Sequence, residues 1–214
     1  MIAIIDYEAG NLASVERALR HLGAECKITR DPAEVDCAER IVFPGVGAAG
    51  AAMTSLRRLG LDVALRRAVE QNKPVLGICI GCQVIFQRSE EDGAECLGLV
   101  PGQVARFPLE HRDAQGNELK VPHMGWNGVR FLRPHPVFAG IDPRSEFYFV
   151  HSYYPVPADP AAVIGVTDYG LEFCSALAQG SLVAVQFHAE KSGRPGLKIL
   201  QNFMAWDGKE GSDA

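Results

Sequence analysis

Over residues 1–88 of this 214-residue chain, short apolar runs alternate with stretches of helical periodicity, and that alternation limits the fold more than any other feature. Residues 1–6 are an apolar run ending in Asp6. From Asn11, apolar residues recur at Leu12, Val15, Leu19 and Leu22, one face of a helix stopped by Gly23. Residues 25–29 alternate like a second strand, and "RIVFPG" at 40–45 reads as a third. Helical patterns follow at about 48–59 and 61–71, with Gly60 as the break; residues 74–78 read as a fourth strand and 81–88 as a helix. Parallel strands need crossover connections, and a helix is the usual one. The rhythm therefore predicts a parallel sheet with helices on both faces. Such sheets bind their ligands outside the carboxyl ends of the strands.

After Pro101 the texture changes. Helical periodicity is absent until about Pro195, and strand-like runs take over at 103–107, 127–131, 146–150, 161–167, 172–178 and 182–187. These predict an antiparallel or mixed extension of the same sheet, closed by a last helix at about 195–206. Neither an internal repeat nor a domain linker is visible. The expected architecture is one α/β domain over residues 1–207, with a flavodoxin-like parallel or mixed sheet and a strand-rich carboxyl-terminal extension. The tail, 208–214, reads as disordered. Hydrophobic residues make up 47% of the chain and charged ones 22%, enough apolar surface for a full core. The net charge of -5 comes without a basic tract, which argues against nucleic acid or an anionic membrane as partner. The opening "MIAIIDYEAGN" lacks the charge pattern of a signal peptide, so a cytoplasmic location is expected, with the six cysteines as thiols.

The stretch that carries chemistry is "KPVLGICIGCQVIF", residues 73–86. An apolar run stops at Cys79, framed by Gly77 and Gly81, and Cys82 follows three positions later. Three readings compete. A zinc site needs two more closely spaced ligands, and Cys96 and Cys174 are isolated. A redox C-x-x-C pair suits the cysteine positions, but it usually belongs to a small thioredoxin-like unit. The third reading is a thiol form of the G-x-S-x-G elbow, in which small neighbours permit a sharp strand-to-helix turn that lifts the nucleophile clear of the sheet. A helix amino terminus there favours a thiolate. A small core cysteine between glycines is an equal competitor until the far end of the chain is considered. "VAVQFHAEKSG", 183–193, is a strand ending in His188 and Glu190. In a parallel arrangement it ends at the same rim as Cys79, with His188 as base and Glu190 to orient its ring.

The pair "GICIGCQ" (77–83) and "QFHAEKS" (186–192) resembles the signature of the class I (triad) glutamine amidotransferases. "DYEAGNLASV" (6–15), "PGVGAAGAAM" (44–53), "PHMGWN" (122–127) and "YFVHSYY" (148–154) are most similar to the glutaminase subunits of imidazole glycerol phosphate synthases, and the resemblance covers nearly the whole chain. It implies Cys79 as nucleophile, His188 as general base and acid, and Glu190 as its orienter. It implies an oxyanion hole from backbone N–H groups of Ile80 and of Val46 or Gly47. Glutamine would be held by Gln83, Glu91 and the segment His151, Ser152 and Tyr153. The implied partner is a (β/α)8-barrel cyclase, with Trp126 and Lys191 as candidate contacts. No metal and no cofactor is implied. The chain departs from the family pattern at Ala189, where proline is usual, at Glu8-Ala9 and at Cys82. Without the resemblance, Gln83 reads as a solvated helix residue and Glu91 as a helix end. A glutaminase serving another synthase, such as one making an aminated sugar, and a C-x-x-C redox protein stay open as alternatives.

Overall fold

The computed structural model describes residues 1–8 and 10–209. The first half alternates as the sequence predicts: β1 (Ile2–Ile5), α1 (Leu12–His21), β2 (Cys26–Thr29), α2 (Pro32–Cys37), β3 (Arg40–Gly45), α3 (Ala49–Leu59), α4 (Leu61–Glu70), β4 (Val75–Cys79) and α5 (Ile80–Gln83). The second half is strand-rich: β5 (Arg88–Ser89), β6 (Gly102–Arg106), β7 (His123–Gly128), β8 (Arg130–Phe131), β9 (Glu146–His151), β10 (Tyr153–Pro157), β11 (Val163–Asp168), β12 (Glu172–Gln179) and β13 (Leu182–Val185), before α6 (Gly193–Ala205).

One eight-stranded sheet runs β2-β1-β3-β4-β13-β12-β11-β8. β1 to β4 and β13 are parallel, and β12, β11 and β8 add antiparallel strands at one side. The extension of the main sheet is therefore present, but only part of the second half joins it. β10-β6-β5 form a separate three-stranded sheet and β7-β9 a two-stranded ribbon.

The parallel strands carry side chains into two cores. Val15 and Leu19 of α1 and Ile199, Leu200 and Phe203 of α6 pack with Ile4, Val42, Leu76 and Val185 on one face. Met53 and Leu56 of α3 and Leu61 and Leu65 of α4 pack with Ile41, Phe43, Val75 and Ala184 on the other. Neighbours in one strand serve opposite faces, as the two-residue period of a strand demands. Each large side chain so buried contributes about 1.5–3 kcal/mol.

Three local differences from the sequence reading have physical causes. The helix expected over 81–88 lasts only through Gln83; the chain then turns into β5 and the small sheet, whose packing overrides a weak helical pattern. The helix α2 follows an Asp31 cap that accepts from Ala33 N–H at 2.9 Å, with Pro32 at the first helical position. β10 completes the small sheet by antiparallel pairing with β6. Among the described residues, no helix is long and apolar enough to cross a membrane. At the carboxyl end Gly208 is buried and the Lys209 carbonyl accepts from the Trp206 indole at 2.6 Å; residues 210–214 of the expected tail, and Ala9, lie outside the described residues.

The β4–α5 turn sets the positions of the residues singled out above. Cys79 has φ 54° and ψ -107°, a conformation that L side chains rarely adopt. A Cβ on Gly81 would lie 1.8 Å from the Phe43 carbonyl oxygen, and one on Gly77 2.9 Å from the Gly81 carbonyl oxygen. Replacing Gly81 by Ala is expected to cost about 3 kcal/mol or more, because backbone rather than a movable side chain blocks the methyl group. Gly128→Ala, where a Cβ meets nothing within 4 Å, should stay within about 0.5 kcal/mol of the parent. Urea midpoints of the two variants check this; similar midpoints would mean that the turn is not set by that contact.

Candidate active site

Cys79 ends β4, flanked on one side by β3, where Gly45 stands opposite it, and on the other by β13, where Val185 stands opposite Ile78. Three residues past Val185 the chain reaches His188, at the same rim. His188 and the Glu190 carboxyl are buried. His188 Nδ1 donates to Glu190 Oε1 at 2.8 Å; a carboxylate can only accept, so Nδ1 carries a proton in either charge state of the ring. Nε2 is buried without a hydrogen-bond partner. Burial works against an imidazolium at His188, but the Cys79 sulfur and the Glu190 carboxylate together raise its pKa to about 10.

A cavity of about 340 Å³ opens over this pair. Cys79, His188 and Ile80 line its floor, and Val46 and Gly47 line it from the segment after β3. Gly47 has φ 103°, open only to glycine. Gln83, Glu91, His151, Ser152 and Tyr153 complete the walls, with Pro122 and Val150. Gln83 is buried, not solvated: its Nε2 donates to Tyr153 O at 2.9 Å and to Gln186 Oε1 at 3.0 Å. Its Oε1 is left without a partner. Glu91 sits in a short 3-10 turn and accepts from the Ala49 N–H at 2.7 Å. Burial pushes its carboxyl up and Asp92 adds to that, while the Ala49 bond opposes it. Cys82 faces the opposite core from Cys79, fully buried and unbridged, and burial holds its thiol well above the usual range. Trp126 and Lys191 lie outside the cavity. Trp126 is 54% exposed, its ring meets Tyr148 edge-on at 6.0 Å, and Lys191 Nζ stands 5.9 Å over the same tyrosine.

Comparison with known proteins gives a consistent answer. The description of the class-I glutamine amidotransferase family matches residues 3–206. The chain belongs to this family. It is 53% identical over 203 residues to the imidazole glycerol phosphate synthase subunit HisH of Desulfovibrio desulfuricans, covering 95% of this chain and 93% of that one. It is 52% identical over 210 residues to subunit HisH 1 of Pseudomonas aeruginosa, covering 97% and 98%. Among solved structures, PurLQS from Thermotoga maritima superposes with a TM-score of 0.71 at 16% identity, covering 95% of this chain and 97% of that chain. At that identity the likeness speaks for the fold.

The amidotransferase is thus an enzyme with a glutaminase-type site, and several residues that the sequence reading passed over surround it. Asn11 Nδ2 donates to Glu190 Oε1 at 2.6 Å from the left-handed residue that opens α1. The backbone after Ala189 is fixed without a proline: Ser192 N–H returns to Ala189 O at 3.1 Å, and Gly196 of α6 packs so closely that a Cβ would lie 1.9 Å from that oxygen. Gln186 Nε2 approaches the Cys79 sulfur at 3.9 Å. The Tyr7 hydroxyl is buried without a partner; burial, with the charge at Cys79, holds its phenol well above the usual tyrosine value. Local spacing carries no sign of these neighbours, apart from the presence of Tyr7, Asn11, Gln186 and Ser192 inside the family motifs.

The histidines beside the cavity make acid destabilising. Burial, with the His111 charge, lowers His123 to about 4. Burial lowers His151 to about 3, aided by the His123 and His188 charges and opposed by its bond to Tyr153. A histidine held neutral in the fold but titrating near 6.5 when unfolded contributes stability above that pH. The contribution is lost as pH falls towards the folded value. His188 has the opposite sign: its contribution is full below about 6.5 and is lost as pH rises through about 10. Between pH 7 and 5 the two neutral histidines should together cost about 3–4 kcal/mol, of which the opposite sign of His188 offsets about 1 kcal/mol. Urea midpoints at pH 7, 6 and 5 read this; a flat profile would contradict neutral burial of the pair.

Proposed function

We propose that this chain is the glutaminase subunit of an imidazole glycerol phosphate synthase. It hydrolyses the side-chain amide of glutamine and delivers ammonia to a (β/α)8-barrel cyclase partner, which forms imidazole glycerol phosphate and an aminoimidazole carboxamide ribotide. The observation that carries the chemistry is the His188 ring, fixed by Glu190 through Nδ1 and left with a free Nε2 on the cavity floor it shares with Cys79. The partner and products rest on the relatives' names and on the stretches quoted above.

In this reading residues 1–207 act as one domain. The Cys79 thiolate attacks the γ-carbonyl carbon, and the oxygen's new charge is met by the N–H of Ile80 and of Val46 or Gly47. Backbone donors aimed at such an oxygen contribute about 10²–10³ in rate each. The C–N bond breaks as His188 Nε2 gives its proton to the leaving amine, so ammonia and a thioester result. Water then adds to the thioester carbonyl, losing its proton to His188, and glutamate leaves as the Cys79 thiolate reforms. Glu190 never leaves the ring; it holds the tautomer that keeps Nε2 free to accept. Glu91 takes the substrate ammonium group, Gln83 offers its vacant Oε1, and the segment 151–153 supplies the remaining wall. No step calls for a metal or organic cofactor. Trp126 and Lys191, both beside Tyr148, are the contacts assigned to the cyclase.

The decisive experiment is glutamate release by the chain co-expressed with its cyclase. Cys79→Ala should abolish glutamine-dependent synthesis while added ammonium salt still supports it, because the cyclase step is untouched. Cys82→Ala should keep most of the activity, since Cys82 faces the other core. Equal inactivity of the two would favour the redox pair instead. A partner other than the cyclase on co-purification would favour the glutaminase of a different synthase.

Within the triad, His188→Ala should cost about 10²–10⁴-fold in kcat, and Glu190→Ala less, since the second removes only the orienter. An equal or inverted pair of losses in steady-state assays would give Glu190 a more direct part than orientation.

A further inference from the structure

Outside the residues assigned above, one feature runs deeper into the protein than the cavity itself. Starting at β7, Asn127 Nδ2 donates to Asp168 O at 2.9 Å and lies 3.4 Å from His123 Nε2. His123 Nδ1 meets His151 Nε2 at 3.0 Å, and His151 Nδ1 meets Tyr153 O at 2.8 Å. That same carbonyl accepts from Gln83, which bonds Gln186, whose amide reaches the Cys79 sulfur.

The hydrogens in this chain have only one consistent arrangement. A carbonyl oxygen cannot donate, so His151 carries its proton on Nδ1. Its Nε2 must then accept, so His123 donates from Nδ1. His123 Nε2 is left as an acceptor, facing the Asn127 amide. Both rings are neutral at physiological pH, as their burial requires. His123 cannot swing away, because it is stacked between Tyr169, at 4.0 Å, and Phe149, at 4.9 Å, each inclined by 23°.

We propose that His123 and Gln186 are positioning residues of the amidase reaction, closing a hydrogen-bonded chain that fixes the 151–153 wall of the cavity and the sulfur of Cys79 to the protein core. This rests on the cavity being the glutamine site, as proposed above. His123 acts through His151 and the Tyr153 carbonyl, so its loss reaches the binding wall first. Gln186 holds Gln83 and faces the sulfur, so its loss reaches the reacting centre first. The two variants should therefore fail in different kinetic constants.

The test uses the chain in complex with its cyclase. His123→Phe keeps a flat ring between Tyr169 and Phe149 and removes the donor. It should raise the glutamine KM about tenfold, one hydrogen bond's worth, with kcat changed much less. His123→Asn puts an amide N–H close to where Nδ1 stood and should recover most of that loss. Gln186→Leu should lower kcat about tenfold, with a smaller change in KM, and should slow iodoacetamide modification of Cys79, followed on the Cys79 peptide by mass. Nitrogen-15 spectra of the unmodified protein should show both His123 and His151 as Nδ1–H tautomers. An Nε2–H tautomer at either ring, equal losses in His123→Phe and His123→Asn, or parent kinetics in His123→Phe would each overturn the chain. Absence of glutamine turnover in the parent complex would instead remove the functional reading, and the spectra would still decide the arrangement of hydrogens.

Discussion

Gly81 rests against the carbonyl oxygen of Phe43, closer than any side chain would allow. Because of that contact α5 can start directly above β3, and β4 must turn at Cys79 within one residue. The turn forces a positive φ on a residue that carries a side chain. Such strain costs on the order of 1–3 kcal/mol and persists only where the surroundings impose it. Here the imposition comes from both sides, since β3 and β13 hold β4 by continuous parallel pairing. The single-turn length of α5 also changes the electrostatic argument. A helix of Ile80–Gln83 has little macrodipole of its own, so support for charge at Cys79 falls to local N–H groups and to His188.

Polar groups around the site are almost all buried, and burial makes their pairing decisive. A neutral imidazole chain, a carboxylate shared by His188 and Asn11, and a glutamine amide divided between Tyr153 and Gln186 would each be costly if half-made. Two polar atoms left alone, His188 Nε2 and Gln83 Oε1, belong to residues that line the cavity. Vacancies of that kind suit a ligand that brings its own donors and acceptors.

How much of this was legible beforehand depended on the range of the interaction. The parallel half could be read because each strand is a short apolar run and each helix has its own period and stop, as at Gly23 and Gly60. β3 begins and ends where "RIVFPG" does. The meeting of Cys79 with His188 followed from strand direction, since two parallel neighbours end at one rim. The strands after Pro101 were visible singly, but their division among three sheets was not, because pairing partners leave no local mark. Without the resemblance Gln83 reads as solvated for the same reason: its neighbours Tyr153 and Gln186 come from far along the chain. His123 looked like one residue of a motif, and nothing near it in sequence announces its contact with His151.

Cys79 and His188 are carried by different supports. Cys79 belongs to the interior of the eight-stranded sheet. The backbone of His188 is tied instead to β9: its N–H donates to Tyr148 O at 2.9 Å, and Ser192 Oγ bridges its carbonyl to the Tyr148 N–H. Among the described strands β9 pairs with β7 alone, and Phe147 and Phe149 anchor that ribbon in the core. The gap between sulfur and imidazole is therefore set jointly by the sheet and by the ribbon. Tyr148, whose backbone holds His188, also meets the exposed Trp126 through its ring, so one residue joins the buried imidazole to the protein surface.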